Sequence, residues 1–341
     1  MEKAYDRAEI KMLPDSEVEI IVGAPAETLE KYKKEALAHL TLHASIPGFR
    51  KGHAPEKMIL EKVGEMGILE EAAELFIKDI YSAILIEKKL DTIGEPHIAV
   101  TKLAPGNPIE FKIIVALLPS FELPDYKKLA KEMMAKDEPI IVSEKDVENV
   151  VEEIRRIRAV KKEGEEKAGL PELTDEFVKT VGPFENVVDF TTKVKENLEK
   201  EKTFRAKEKR RLEIIGKIIE KTEIPLPRVL IEGELERMLA QLGDDVKRMG
   251  GTVASYLAET KKTESDLRRE WENDAKTRVK FELILQKIGD VEKIKADEGE
   301  VAKEVKHIIE HYTGAVPERV RAYVEHQMRN EEVFKLLESQ K

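Results

Sequence analysis

The sequence predicts an α+β N-terminal domain, residues 1–118, followed by an extended all-α domain, residues 143–341, with an extended linker at 119–142. Three observations lead to this prediction. Apolar and charged residues alternate over 16–22 and over 109–117, which is typical of strands with one buried face. Apolar residues at helical spacing dominate the rest of the chain. Charged residues make up 38% of the chain and aromatic residues only 5%, which favours helices with large solvated surfaces.

The N-terminal elements follow in order along the chain. After the first strand, a helix is predicted over residues 26–39, and a second stretch of helical spacing covers 56–90. A loop rich in Pro and Gly, residues 46–55, joins the two helices. The second strand then completes a small sheet packed by helices, so the predicted order is strand, helix, helix, strand.

The C-terminal part is predicted to be helical throughout. Three prolines punctuate residues 119–142 and favour a short strand or an extended linker there. Ser143 is a suitable N-cap for the first helix after the linker, and Thr263 with Asp266 and Pro317 are suitable starts for later helices. The predicted helices cover residues 143–158, 186–220, 227–248, 263–289, 297–312 and 316–338.

Composition excludes several classes of protein. The chain has no cysteine, which excludes disulfides, thiolate catalysis and thiolate zinc sites. No stretch approaches the ~20 apolar residues that span a bilayer, and the first residues lack the apolar core of a signal peptide, so we expect a cytoplasmic protein without a membrane partner. The formal net charge is −10, which argues against a general DNA or RNA binder. Contact with RNA would therefore be local.

The most informative local feature is the loop at residues 46–55. Its glycines permit positive φ and its prolines stiffen the flanks, so Phe49, Arg50 and Lys51 should project from the tip. Arginine offers a planar fork of donors for phosphate, lysine offers a point charge, and phenylalanine offers a face that stacks on a base or enters a pocket. The alternative is an ordinary Gly/Pro loop that happens to contain two cations.

This loop resembles the ribosome-docking signature of the trigger factor family, Gly-Phe-Arg-x-Gly-x-x-Pro. The residues that match it are Gly48, Phe49, Arg50, Gly52 and Pro55. The segments Leu170–Thr174 and Ile224–Pro227 support the resemblance further along the chain, which extends over nearly the whole sequence.

The resemblance implies a function. It assigns Phe49, Arg50 and Lys51, with Gly48 and Gly52 shaping the turn, to contact with a ribosomal exit-tunnel protein and adjacent rRNA. It also implies that the helical domain forms arms that shelter nascent and unfolded polypeptides. Many weak apolar contacts with fast release need no nucleotide, so we expect an ATP-independent chaperone without a cofactor. A free cytosolic holdase or assembly chaperone, self-associating as a homodimer when off the ribosome, is an alternative.

One departure from the family pattern is informative. Most trigger factors insert a prolyl isomerase domain where this chain has only about a dozen residues, between Arg158 and Pro171. Small domains begin at about 50 residues, so none fits near 159–170. We therefore expect no isomerase activity and no catalytic residues.

Apolar residues on the charged C-terminal helices are the candidates for client binding. Met side chains adapt to varied partners, and surrounding charges keep bound clients soluble. Some of these residues must belong to hydrophobic cores, and periodicity alone does not separate core residues from those on an exposed client-binding surface. The candidates are Met238, Leu242, Met249, Leu257, Val324 and Met328.

The sequence His307-Ile308-Ile309-Glu310-His311 matches the His-x-x-Glu-His pattern of inverted zinc proteases. Two histidines at i and i+4 share a helix face, but such a site needs a third ligand and a walled cleft. A metal-dependent hydrolase is therefore the rival function, and a solvated histidine pair on a charged helix is the simpler interpretation. We expect no metal site.

The basic run Arg205–Arg211 is the other pattern that could bind RNA. It lies in a predicted helix that also carries many glutamates. A solvated helix face is the interpretation favoured by this mixture of charges.

Overall fold

The computed structural model describes residues 5–43, 49–50, 52–53, 55–135, 139–159, 170–312 and 314–340. The chain divides into two compact units. One contains Met1–Glu122 with Glu223–Glu282, and the other contains Leu123–Thr222 with Leu283–Lys341. Residues 143–341, which the sequence presents as one helical domain, are thus shared between the units.

The N-terminal residues form a four-stranded antiparallel sheet with helices on one face. Its strands are β1 (Arg7–Leu13), β2 (Glu17–Ala24), β3 (Thr92–Lys102) and β4 (Ile109–Leu117), in the spatial order β1-β2-β4-β3. The two predicted strands are β2 and β4, and they lie in the middle. The edge strands were not predicted, because β1 mixes charges into its alternation and β3 is interrupted by a register shift between Ile93 and His97.

Two helices cover the apolar face of this sheet, α1 (Ala26–His43) and α2 (Glu56–Lys88). The inward residues of β2 and β4 are buried against α2, where Phe76 and Phe111 meet edge to face with ring centroids 6.1 Å apart. On the same face, Ile10 of β1 lies opposite Ile20, and Ile98 of β3 lies opposite Ile113, yet both edge residues remain partly exposed. The helices therefore cover the middle strands and leave the edges open.

The segment predicted as an extended linker contains a helix, α3 (Tyr126–Met134). Asp125 caps it by accepting a hydrogen bond from the Lys128 backbone N–H at 3.0 Å. The Tyr126 hydroxyl donates to Glu292, and burial together with this hydrogen bond raises the pKa of Tyr126 to about 12. The prediction that residues 119–142 are extended throughout was therefore wrong. The prolines lie on either side of α3 and leave room for a helix, and the contact of Tyr126 with Glu292 stabilises it.

The remaining regular elements of the described chain are all helices, which confirms the predicted fold class. Ser143 and Asp146 form a capping box at the start of α4, Thr263 and Asp266 exchange the same two hydrogen bonds before α9, and Pro317 opens α11. Two short helices, α5 and α8, were not predicted. The helices are α4 (Glu144–Arg158), α5 (Asp175–Val181), α6 (Val187–Glu220), α7 (Arg228–Arg248), α8 (Val253–Thr260), α9 (Glu264–Val291), α10 (Glu298–His311) and α11 (Pro317–Glu338).

The basic run on α6 is not solvated throughout. Arg211 is only 7% exposed and donates to both carboxylate oxygens of Glu331, at 2.7 and 2.8 Å, and to Glu338 at 2.6 Å. Its guanidinium also lies 4.6 Å from the centroid of the Phe334 ring. Arg211 is therefore a structural residue that joins α6 to α11, which corrects the interpretation of the whole run as a solvated face.

Candidate functional site

The candidate docking loop joins the C-terminal end of α1 to the start of α2. Phe49 is 42% exposed, and Arg50 is exposed as well. Within the described part of the chain, the Arg50 guanidinium has no ion-pair partner. By contrast, Lys33 on α1 pairs with Glu30 at 2.6 Å, and His39 Nδ1 lies 2.7 Å from Glu71 Oε1. A cation without an internal partner is available to an external anion.

A turn holds the loop residues in place. The His53 backbone N–H donates to the Arg50 carbonyl oxygen at 3.0 Å, and Gly52 inside this turn has φ +83°. That backbone conformation strains any residue with a Cβ, so the glycine predicted from the signature has a physical role in the turn. Gly48 and Lys51, the other two predicted docking residues, lie outside the described residues.

The loop leads into α2, which is anchored on α1. Pro55 precedes the first turn of α2, and its carbonyl accepts from the Met58 N–H at 2.9 Å. Ile59 in that turn is fully buried among Leu37 and Leu40 of α1 and Val63. The loop is thus attached to packed helix on both sides.

Exposed apolar residues lie on the two helices that flank the loop in the chain, and sequence reasoning missed them. They lie at the end of α1 and on the first half of α2 and are Leu42, Met58, Leu60 and Met66. A groove of about 620 Å³ lies beside them between the two helices, with Leu37, Leu60 and Ile68 among its lining residues. The helical spacing of α2 suggested one buried stripe. A pattern with apolar residues on more than one face was the signal that could have found this surface.

The candidate client-binding residues separate into buried and accessible groups. Met238 is 9% exposed in a core with Ile231, Leu235 and Ala275, and Val324 is 3% exposed. Both therefore belong to packed interiors, which corrects their assignment to an open surface. Met249 is 78% exposed at the end of α7. Three candidates are half-buried: Leu242, Leu257 and Met328.

The histidine pair on α10 lacks the features of a metal centre. His311 Nδ1 lies 2.8 Å from the His307 carbonyl oxygen, and Glu310 turns towards Lys306 at 3.8 Å. Over the residues that the structure describes, no group of three or more His, Asp or Glu side chains is arranged to hold a metal ion. The pair is explained by local helix contacts.

Among the helices that the structure describes, none is both long and apolar enough to cross a lipid bilayer.

Comparison with known proteins defines the class of this chain. A family model described as bacterial trigger factor protein (TF) matches residues 7–154. A second, described as bacterial trigger factor protein (TF) C-terminus, matches residues 186–341. The two matches cover both the sheet domain with its loop and the C-terminal helices. They define a chain with both the N-terminal and the C-terminal part of a chaperone for newly made proteins. The chain belongs to the trigger factor family.

Individual relatives agree with this assignment. The trigger factor of Alkaliphilus metalliredigens (strain QYMF) is 25% identical over 391 residues, which cover 89% of this chain and 90% of the relative. The trigger factor of Caldanaerobacter subterraneus subsp. tengcongensis is 24% identical over 407 residues, which cover 94% and 93%. Both alignments are longer than the 341 residues of this chain, so the relatives contain residues without a counterpart here.

A solved structure has the same fold. It belongs to a study of promiscuous substrate recognition in folding and assembly activities of the trigger factor chaperone. It matches with a TM-score of 0.55 and 19% identity, and the match covers 98% of this chain and 100% of that chain.

Proposed function

We propose that this protein is an ATP-independent chaperone that docks at the ribosomal exit tunnel through the loop at residues 46–55 and shelters nascent and unfolded polypeptides on apolar helical surfaces. The observation that carries the docking is the pairing of a half-exposed Phe49 with an exposed Arg50 that has no ion-pair partner among the described residues. A buried Phe49 or an internally paired Arg50 would have removed the chemistry on which docking depends. The partners are an exit-tunnel protein, for the aromatic ring, and adjacent rRNA, for the cations.

The client surface is proposed separately for each unit. In the first unit, Met249 is the most exposed of the candidates, and Leu242 and Leu257 are partly accessible on α7 and α8. In the second, Met328 is partly accessible, and Phe204 on α6 is 64% exposed beside a groove of about 460 Å³ lined by lysines and glutamates. Scattered apolar contacts of this kind bind many sequences weakly, which suits transient clients.

The chain is further proposed to lack prolyl isomerase activity. The two family models leave residues 155–185 unmatched, and α4 ends at Arg158 and α5, Asp175–Val181, lies within that interval. The alignments with relatives are longer than this chain, which supports a missing inserted domain. The docking and client surfaces both lie outside that interval.

The docking proposal is tested by co-sedimentation with ribosomes. We expect the triple variant Phe49→Ala, Arg50→Ala, Lys51→Ala to lose co-sedimentation while its thermal unfolding stays unchanged, because the side chains of Phe49 and Arg50 are exposed. Docking of the unmodified protein should also weaken as salt rises, since each phosphate contact releases condensed counterions.

The matched control is the triple variant Phe204→Ala, Arg205→Ala, Lys209→Ala, which removes the same residue types from the exposed side of α6. Ribosomes without nascent chains are used, so that the proposed client surface at Phe204 is not engaged, and the control should then co-sediment as the unmodified protein does. Undiminished co-sedimentation of the loop variant would refute the role of the loop. If the unmodified protein suppresses aggregation but never co-sediments, the free cytosolic holdase is the correct function.

A further inference from the structure

Helix α2 is broken near the docking loop. Gly64 has φ +78° and ψ 167°, a combination far from helical values, while the residues on both sides are helical. Residues with a Cβ essentially do not adopt this region. An ideal Cβ at Gly64 would have no atom within 4 Å, so packing leaves ample room for a side chain. Glycine is therefore required here by the backbone dihedral angles and not by a lack of space for a side chain.

The break changes which face of α2 packs against α1, as the buried residues on either side of Gly64 show. Ile59 and Ile68 are nine residues apart, or about 2.5 turns of a continuous helix, which would place them on opposite faces. Both are buried: Ile59 packs against Leu37 and Leu40 of α1, and Ile68 lies in a cluster with Ala36 of α1 that Leu37 and Leu40 also join. An uninterrupted helix cannot turn both residues towards the same partner. The break at Gly64 resets the helical phase so that the first segment, residues 56–63, faces α1.

We propose that Gly64 is a positioning residue for ribosome docking. The segment 56–63 directly follows Pro55, so the seat of Ile59 on α1 sets the direction in which the loop leaves α2. Gly64 acts through Ile59 and does not touch the partner. This inference rests on the proposed docking function, and it adds a residue that the Gly-Phe-Arg-x-Gly-x-x-Pro signature does not contain.

Gly64→Ala is the decisive variant, with Gly106→Ala as its control. Gly106 lies in the β3–β4 turn with φ +71°, and it also has no atom within 4 Å of an ideal Cβ. The control therefore imposes a related backbone penalty in the same unit, away from the loop. We expect Gly64→Ala to weaken ribosome co-sedimentation about tenfold or more, from the cost of a disfavoured backbone region. Suppression of client aggregation should be unchanged in both variants.

A second measurement separates positioning from general destabilisation. In the free protein, amide hydrogen exchange of residues 56–63 should become faster in Gly64→Ala, while that of the packed stretch 68–84 stays slow. Ile59→Ala should weaken docking in the same way. If Gly64 acts through Ile59, the double variant should dock no worse than the weaker of the two single variants.

The outcomes are distinguishable. If the unmodified protein co-sediments and Gly64→Ala does so equally well, Gly64 has no positioning role and the docking function stands. If the losses from Gly64→Ala and Ile59→Ala simply add, the proposed route through Ile59 is wrong. If the unmodified protein does not co-sediment, the docking function itself is wrong. Independently of docking, unchanged amide hydrogen exchange of residues 56–63 in Gly64→Ala would show that Gly64 does not hold this segment in place.

Discussion

At the scale of single residues, arginine serves two opposite purposes in this protein. Arg50 is exposed on a loop and has no ion-pair partner within the described residues, so its donors are open to an external anion. Arg211 is buried between α6 and α11, and its donors are taken by Glu331 and Glu338. Burial by itself would lower the pKa of Arg211, but the hydrogen bonds to these carboxylates outweigh it and hold the pKa above its ordinary value. The same side-chain chemistry is available for the proposed docking at Arg50 and holds two helices together at Arg211.

Removal of Arg211 is expected to destabilise the protein. Arg211→Ala leaves Glu331 and Glu338 their longer ion pairs with Lys207, at 3.5 and 3.6 Å, and removes the guanidinium from the Phe334 ring. Breaking a buried ion pair costs about 3–5 kcal/mol, and partial exposure of the two carboxylates reduces this to about 2 kcal/mol. Urea unfolding of the second unit measures the change.

The control is Arg205→Ala, since Arg205 is exposed on the same helix and pairs only with Glu201 among the described residues. Its free energy of unfolding should change by no more than about 0.5 kcal/mol. Equal effects of the two substitutions would show that the buried cluster contributes nothing beyond a surface pair.

At the scale of secondary structure elements, neighbouring residues determine where a helix starts, but they do not determine which other helix it packs against. The sequence predicted Ser143 as the N-cap of α4, and the structure adds Asp146 as the second residue of a capping box. Asp146 has a second role that the sequence does not reveal, because its carboxylate also accepts from Lys202 Nζ of α6 at 2.8 Å. One side chain therefore both starts α4 and joins it to α6.

Acid is expected to loosen the attachment of α4 to α6. The Lys202 ammonium, and after it Ser143, hold the pKa of Asp146 well below its ordinary value of 3.8. A lowered pKa in the folded state means that the stabilisation is complete above the ordinary value and is lost as pH falls below about 4. Asp146→Asn should lower the melting temperature at pH 7, and its difference from the unmodified protein should shrink on acidification.

Glu148→Gln on the same helix is the control for this experiment. Glu148 is exposed, and the described residues offer it no ion-pair partner. A melting-temperature difference for Asp146→Asn that stays constant from pH 7 to pH 3 would exclude this linkage.

At the scale of the whole molecule, the charge and the apolar surface fit the proposed chaperone that works without nucleotide. The chain carries 69 acidic and 59 basic residues, and most ion pairs are exposed, so bound clients would remain surrounded by solvated charge. Each unit also exposes large apolar side chains, such as Met249 in one and Phe204 in the other. Weak apolar contacts on a highly charged surface favour rapid capture and release.

One refolding experiment tests this description of the whole chain. With a client whose slow refolding phase is prolyl isomerisation, the protein should suppress aggregation without ATP and leave the rate of the slow phase unchanged. Light scattering and fluorescence follow the two quantities in one sample. An accelerated slow phase would contradict the proposed absence of isomerase activity, and undiminished scattering would contradict the proposed chaperone surface.

The sequence by itself determined the features that depend on neighbouring residues. Alternation predicted β2 and β4, helical spacing and N-caps predicted the long helices, and the motif at residues 48–55 marked the connection between α1 and α2 as the candidate docking loop. These features follow from the 2.0 and 3.6 residue periods and from backbone restrictions at Gly and Pro. They do not require knowledge of any distant partner.

Only the tertiary structure decided the features that depend on residues far apart in the chain. The edge strands β1 and β3 are defined by pairing to β2 and β4, and Met238 and Val324 became core residues through the helices packed on them. Arg211 was buried by glutamates 120 and 127 positions away. The break at Gly64 likewise became meaningful only when Ile59 and Ile68 of α2 were both found buried against α1. The local sequence pattern specifies a helix or a strand, whereas burial and strand pairing depend on the distant segment that packs against it.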